Sequence, residues 1–379
     1  MIECERSHCE RSHFVVKTFP LAPTSNFFRS FLKRLKQLAT AKKRVTIKDV
    51  ATEAGVSYQT VSRVINNDAA VREKTRKRVQ QAIEALNYRP SLAARSLPRR
   101  RSSIIGLIIP YEADYLFRDP HLLAQISGID AEANAQGYNV LLSTAGNSNS
   151  ALEAYERFVR NKVADGALVV ETASGKAGGE MLFKQDYPFV GLGYSEGTSC
   201  PYAVHANDRE GARTATNHLL AKGHRSIGII NGPSSGAIFA TEERLIGYKQ
   251  ALSEAGILFN PILMVYGDYT RASGQAATEQ LLGLPDPPTA IFALNDRMAM
   301  GAIRTIHASG LRVPEDIAVV GFDDIPTAAD FSPALTTVRQ PSKEVGQVAA
   351  QILLKLIAGE PVTEKEVVLP AELIIRQST

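Results

Sequence analysis

The 379-residue chain carries 43 Lys+Arg against 39 Asp+Glu, a formal net charge of +4, with 44% hydrophobic residues and three cysteines. That length exceeds one usual core, while the absence of any 18-residue apolar run and of a cysteine framework excludes a membrane span and a disulfide scaffold. The weak net charge hides an uneven distribution. Residues 41–101 hold 15 Lys+Arg and 5 Asp+Glu, and residues 1–40 hold 7 and 3, which leaves 21 and 31 for residues 102–379. A basic head on an acidic body suits a phosphate-bearing partner, bound with affinity that falls steeply with salt.

Residues 1–44 read as a disordered extension. Cys4–His8 and Cys9–His13 repeat the pentapeptide CERSH. Cys and His so close together invite a metal, but the spacing matches no zinc pattern, so no metal site is assigned. Phe27–Leu38 has the spacing of an amphipathic basic helix with no evident purpose. Cys200 is the only other cysteine, which suits a reducing, cytoplasmic setting.

Val45–Asn67, VTIKDVATEAGVSYQTVSRVINN, predicts two short helices joined at Gly55. Thr46 and Asp49 have capping-box spacing, with Asp in place of Glu. Ile47, Val50, Ala51 and Ala54 share one helical face. Gly55 supplies the turn and Ser57 can cap the next helix. There Val61, Val64 and Ile65 should face inward. Tyr58, Gln59, Ser62, Arg63 and Asn66 form a polar side able to pair with bases and phosphates. This is the layout of a helix-turn-helix that sets its second helix in the DNA major groove. A third helix over Glu73–Asn87 should close the core with Val79, Ile83 and Leu86, and Pro90 should end it.

Asn87–Arg101, NYRPSLAARSLPRRR, predicts one helical turn capped by Ser91 and running to Leu97. It is too short to stand alone and needs DNA or a symmetry mate. Leu97, an exposed leucine in a basic setting, suits a minor-groove wedge. Off DNA the segment reads as a disordered linker.

Beyond it, apolar runs alternate with helical patterns. The runs are Ser103–Pro110, Tyr138–Ser143, Gly166–Val170, Phe189–Leu192, Ser226–Ile230, Ala290–Ala293 and Ile317–Gly321. Helices are expected at Leu122–Ala135, Ala151–Asn161, Glu210–Lys222, Glu242–Ala255 and Ala272–Leu282. Such alternation predicts α/β architecture with parallel sheets, in two subdomains, the first sheet running to about Ala203 and the second from about Val204. Ligands of open α/β sheets sit at the carboxyl ends of strands. Arg244, Tyr269, Asn295 and Asp323 follow apolar runs or their loops. They supply the guanidinium, aromatic face, amide and carboxylate that a hydroxyl-rich ligand needs. From position alone, each serves equally well as a cap or turn residue. Phe117 and Asp119, in the long loop Tyr111–His121, either line the cleft or form a surface loop. Asn207-Asp208 reads as a crossover or capping pair and a weaker ligand candidate. Ser174–Gly179 reads as a glycine-rich loop. No Walker loop, H-E-x-x-H or paired-cysteine pattern is present, so no enzyme or cofactor is indicated.

Val45–Leu97 closely resembles the headpiece and hinge of LacI/GalR transcription regulators. The resemblance rests on the TIKDVA start, the AGVS turn, the TVSRVIN helix, the NYRP joint and the A-x-x-L hinge of Ala94 and Leu97. It covers nearly all of residues 45–379, with Pro98 and Arg72 as departures. It implies a helix-turn-helix domain over 45–88, a hinge over 89–102 and an effector-binding and dimerisation domain over 103–379. That last domain would have the periplasmic-binding-protein architecture, crossing between subdomains near 203, 339–341 and 369–370, with residues 341–368 in the first subdomain and 369–379 in the second. The resemblance further implies a homodimer on a near-palindromic operator, contacted by Thr46, Ser57, Tyr58, Gln59, Ser62, Arg63, Asn66, Ala94 and Leu97. An allosteric effector, a mono- or disaccharide, would bind Arg244, Asp323, Asn295 and Tyr269, with Phe117, Asp119 and Tyr194 near the pocket. The long Tyr111–His121 loop is similar to that of α-glucoside and disaccharide regulators. The predicted function is a sugar-responsive repressor. A sugar-binding transport component of the same core fold and a purine-responsive regulator are the alternatives.

Overall fold

The computed structural model describes residues 45–65, 68–88, 101–109, 111–145, 152–161, 163–170, 175–193, 200–234 and 238–379. Residues 1–44 with both CERSH repeats, and the predicted site residues Asn66, Ala94, Leu97 and Tyr194, lie outside them. The chain divides into two units, Met1–Ser91 and Leu92–Thr379.

The first unit is a three-helix domain: α1 (Ile47–Ala54), α2 (Tyr58–Ile65) and α3 (Glu73–Ala85). Thr46 starts α1, its backbone N–H and its hydroxyl both donating to the Asp49 carboxylate at 2.8 and 2.7 Å. Gly55 stops it in the left-handed region (φ 61°, ψ 41°), where a side chain would cost energy. Ser57 Oγ accepts the Thr60 N–H at 3.2 Å and caps α2. Val50, Val61 and Val79, one from each helix, are fully buried. Each such valine contributes about 1.5–3 kcal/mol relative to exposure. Ala82 completes this core, with Ile83 and Leu86 only partly buried against it. Helix α3 ends at Ala85, two residues before the predicted Asn87. Local geometry marks its stop: Asn87 takes φ 46°, and the Tyr88 N–H reaches back to the Ile83 carbonyl at 2.9 Å, while Pro90 lies outside the described residues.

The second unit holds two six-stranded sheets. In chain order its elements begin β1 (Ile104–Ile109), α4 (Ala113–Leu116), α5 (Pro120–Ala135), β2 (Asn139–Thr144), α6 (Leu152–Asn161), β3 (Gly166–Val170), α7 (Gly175–Lys184), β4 (Phe189–Leu192) and β5 (Ala203–Ala206). Then come α8 (Asp208–Ala221), β6 (Ile227–Asn231), α9 (Phe239–Glu254), β7 (Met264–Tyr266), α10 (Arg271–Leu282), β8 (Ala290–Ala293), α11 (Asp296–Ala308) and β9 (Ala318–Asp323). The last are α12 (Pro326–Asp330), β10 (Thr336–Arg339), α13 (Ser342–Ala358), β11 (Glu366–Leu369) and β12 (Glu372–Ile374).

The first sheet runs β11-β5-β4-β3-β1-β2 and the second β12-β10-β9-β8-β6-β7. All pairings are parallel except β10 with β12. The central strands β3, β4 and β8 are buried at every residue, as continuous apolar runs require when helices cover both faces. The edge strand β2 instead leaves Leu141 40% exposed. The chain changes sheet after Ala206, between Arg339 and Ser342, and between Leu369 and Glu372. The first change comes later than Ala203, because β5 still pairs with β4 and β11.

Two further expectations are corrected. Of the Ser174–Gly179 stretch, read as a glycine-rich loop, residues 175–179 open the helix α7. Its packing explains the composition: a Cβ at Gly178 would fall 2.3 Å from the Tyr155 ring. Helix α9 starts at Phe239, three residues before the expected Glu242, so Arg244 sits in its second turn. Strands β5, β7, β10, β11 and β12 are three or four residues long and were not legible as apolar runs.

Candidate functional site

Helix α2 separates its two sides cleanly. Val61 and Val64 are buried, while Tyr58, Gln59 and Arg63 are exposed and Ser62 is half-buried. At 3.6 residues per turn, Tyr58, Gln59, Ser62 and Arg63 fall in one arc opposite the valines. Tyr58 is 53% exposed, although its ring is large and mostly apolar. Arg63 has only a loose ion pair with Asp68 at 3.9 Å, exposed on both sides, which holds the guanidinium weakly. The predicted contacts Thr46 and Ser57 spend their side chains on helix starts, so they position α1 and α2 as well as any partner.

In the second unit a cleft partly open to solvent lies between the sheets. It opens at the carboxyl ends of strands: Val170 ends β3, Leu192 ends β4, Ala206 ends β5, and Asp323 ends β9. Arg244, Tyr269, Asn295 and Asp323 all line it, together with Asp119.

Arg244 is the buried centre of the second-subdomain wall. Its Nε donates to Asp208 Oδ1 at 2.7 Å and its Nη1 to the Leu294 carbonyl at 2.5 Å. Its guanidinium lies 3.8 Å above the Phe322 ring and 3.9 Å from Asp323. Burial alone would lower its pKa, but the Asp208 and Asp323 carboxylates outweigh burial and hold it above the ordinary value. Burial pushes the Asp323 carboxyl up to about 6 against the pull of Arg244. Asp323 accepts from Gln340 Nε2 at 2.6 Å. Asp323 (φ 122°) and Asp324 (φ 55°) are consecutive non-glycine residues in the left-handed region, a strained pair of the kind found at functional sites. Asp324 is not a ligand residue: Arg376 and Arg339 hold it at 2.6 and 2.8 Å. Asp296, fully buried, lies well above the usual carboxylate range because of burial and then Asp323. It accepts from the Ile325 N–H at 2.8 Å and from the Thr337 hydroxyl, fixing the turn that carries Asp323.

Asn295 is both a lining residue and a brace. Its Oδ1 accepts the Met298 N–H at 2.9 Å, capping α11, and its Nδ2 donates to the Tyr269 carbonyl at 3.0 Å. That bond supports Tyr269 at φ 65°. The Tyr269 hydroxyl bonds to Thr241 and passes so close to Gly232 that a Cβ there would lie 2.4 Å away.

Asp119 lines the cleft but is already occupied. It caps α5, accepting from the His121 N–H at 3.0 Å, and its other oxygen takes Arg297 Nη2 at 2.8 Å. Arg297, at the start of α11, also donates to the Tyr115 hydroxyl at 3.2 Å. The two subdomains are therefore joined across one rim of the cleft. Phe117 does not line the cleft: it follows the single turn of α4, which carries it outward to 60% exposure. Of the Asn207-Asp208 pair, Asn207 caps α8, while Asp208 lines the cleft, buried at 3% exposure and paired with Arg244. His121, Gln125, His205 and Gln340 also line the cleft and carry no local sequence signal. Among the described residues no cluster of His, Cys, Asp and Glu is arranged to hold a metal ion.

Residues 46–91 match the lacI family of bacterial regulatory proteins, and residues 216–379 match the periplasmic binding protein-like domain. The HTH-type transcriptional repressor PurR of Aliivibrio salmonicida (strain LFI1238) is 36% identical over 334 residues, covering 88% of this chain and 98% of that protein. The HTH-type transcriptional regulator CelR of Thermobifida fusca is 36% identical over 339 residues, covering 89% and 99%. Among solved structures, the lac repressor dimer bound to operator and the anti-inducer ONPF superposes with a TM-score of 0.78 at 34% identity, covering 89% of this chain and 99% of that one. A transcriptional regulator CelR–cellobiose complex superposes with a TM-score of 0.68 at 35% identity, covering 89% and 100%. With a helix-turn-helix domain ahead of a two-sheet, periplasmic-binding-protein-like body, the chain belongs to the lacI family of bacterial regulatory proteins.

Proposed function

We propose that the protein is a sugar-responsive repressor that binds a near-palindromic operator as a homodimer. The observation that carries this reading is the pairing, in one chain, of an exposed polar arc on α2 with a polar cleft built around Arg244 and Asp323. Gln59 and Arg63 have the chemistry for two-point contacts to adenine and guanine, and Tyr58 and Ser62 for base edges or phosphates. Thr46 and Ser57 set the helix ends against the phosphate backbone. Asn66, Ala94 and Leu97 extend the interface, Leu97 as the wedge at the operator centre.

In the cleft, Arg244, Asp323, Asn295 and Tyr269 supply a fork, a carboxylate, an amide and an aromatic face for a mono- or disaccharide, with Tyr194, two residues after Leu192 in the sequence, as a further contact. The similarity to a regulator solved with cellobiose supports a disaccharide. A transport component would need no helix-turn-helix. A purine effector is the second reading, favoured by the similarity to repressors named PurR. The sugar closes or opens the cleft and thereby shifts operator affinity, with a coupling of about 1–3 kcal/mol.

Gel shift on a selected operator tests the reading, with disaccharides and guanine added in turn. A sugar-dependent change in operator affinity is the expected result. Failure to bind DNA at low salt overturns the repressor, and a response to guanine alone overturns the sugar.

A further inference from the structure

The first-subdomain wall of the cleft holds a polar chain that the predicted site does not use. His121 Nδ1 lies 2.8 Å from Ser342 Oγ, and His121 Nε2 lies 3.2 Å from Gln125 Nε2. An amide N–H can only donate, so His121 Nε2 accepts, its proton sits on Nδ1, and Ser342 Oγ accepts in turn. Gln125 Oε1 is then left over. It is a buried acceptor with no hydrogen-bond partner among the described residues, on a side chain only 8% exposed that lines the cleft. Leaving such an atom unpaired is costly unless something else pairs it. His121 and Gln125 stand one turn apart on α5 and Ser342 opens α13, so the acceptor is held on packed helices.

The charges around it point the same way. Both cationic side chains near the cleft are spent on protein carboxylates, Arg244 on Asp208 and Arg297 on Asp119. Asp323 adds a further buried carboxyl on the facing wall. A ligand therefore meets acceptors on both walls and no uncommitted cation among these residues. An added phosphate or carboxylate would enter a site whose cations are already neutralised.

We propose that Gln125 Oε1 takes a hydrogen from a ligand hydroxyl, and that the cleft selects uncharged, hydroxyl-rich ligands over their phosphorylated counterparts. This rests on the reading of the cleft as the sugar site, and it adds a specificity residue on the wall opposite Arg244.

Calorimetric titration of the full chain with cellobiose, maltose, trehalose, trehalose 6-phosphate and guanine tests it. At least one uncharged disaccharide should bind, and trehalose 6-phosphate should bind at least about tenfold more weakly than that disaccharide. Gln125→Leu should weaken the disaccharide about tenfold, while Gln125→Glu, which keeps an acceptor, should stay within about threefold. Unchanged affinity in Gln125→Leu, or equal losses in both variants, overturns the role of Gln125 and leaves the sugar reading standing. Trehalose 6-phosphate binding as tightly as the best disaccharide overturns the selection against charge. Tighter binding of guanine than of any disaccharide, or binding of none of the five, overturns the sugar reading and this inference together.

Discussion

The polar arc of α2 and the wall of the cleft are both rich in hydrogen-bonding side chains, yet they are built in opposite ways. On α2, Tyr58, Gln59 and Arg63 stand in solvent with Arg63 only loosely tethered, and the valines behind them carry the fold. In the cleft, Arg244, Asp208, Asn295 and Asp296 are buried and bound to one another or to the backbone. A surface that reads a partner through exposed groups can change without disturbing its domain. A pocket whose lining is also its scaffold cannot.

The sharpest way to break that contrast is Arg244→Ala. It leaves Asp208 and Asp323 buried without their cation, so unfolding in denaturant should show a loss of about 3–5 kcal/mol together with loss of effector binding. A variant that keeps full stability would place the cleft with the exposed arc. At the rim, Asp119→Asn keeps a capping oxygen, and Arg297→Gln removes the charge and the guanidinium donors to Asp119 and Tyr115. A double-mutant cycle on unfolding free energy should return a coupling of about 1–3 kcal/mol, and additive effects would show that the rim pair holds nothing together.

Gln59→Ala or Arg63→Ala should cost about 1–3 kcal/mol of operator affinity by titration while the thermal midpoint stays put. A midpoint that falls with affinity would mean the arc is structural. The Asp323 carboxyl, pushed up to about 6 by burial, should take a proton as the pH falls and lose its place as a hydroxyl acceptor. Effector affinity should then drop about tenfold from pH 7 to pH 5, read by calorimetry. The same group acts on folding with the other sign. Its folded pKa lies above the unfolded value, so it costs stability above pH 6 and that cost fades on acidification. A flat affinity profile would remove Asp323 from ligand contact. The smallest effect expected is Ser57→Ala, about 1 kcal/mol of headpiece stability from the lost cap.

How much of this was legible in the sequence follows the same division. The arc of α2 was readable because helical spacing alone sorts Val61 and Val64 from Tyr58, Gln59, Ser62 and Arg63. Asn295 and Asp323 were readable as lining residues because they follow apolar runs that end at one side of a sheet, while Arg244, inside α9, was reached through the family resemblance. What eluded the sequence depends on partners far along the chain. Asp119 meets Arg297 across 178 residues, and Asp208 meets Arg244 across 36, so neither bond leaves a local pattern. His121 and Gln125 look like ordinary helix residues until the ends of β3, β4 and β5 join them around one cleft. Phe117 was misplaced because a single helical turn, α4, decides which way it faces.

The paired returns of the chain at its far end carry a consequence for synthesis. β11, from Glu366, completes the first sheet, and β12, from Glu372, completes the second. A nascent chain that has not yet released Glu366 from the ribosome has an unpaired strand edge on both sheets at once. The helix-turn-helix domain, closed by contacts among neighbours in sequence, can finish folding long before. The head is thus competent early, and the part that controls it is assembled last.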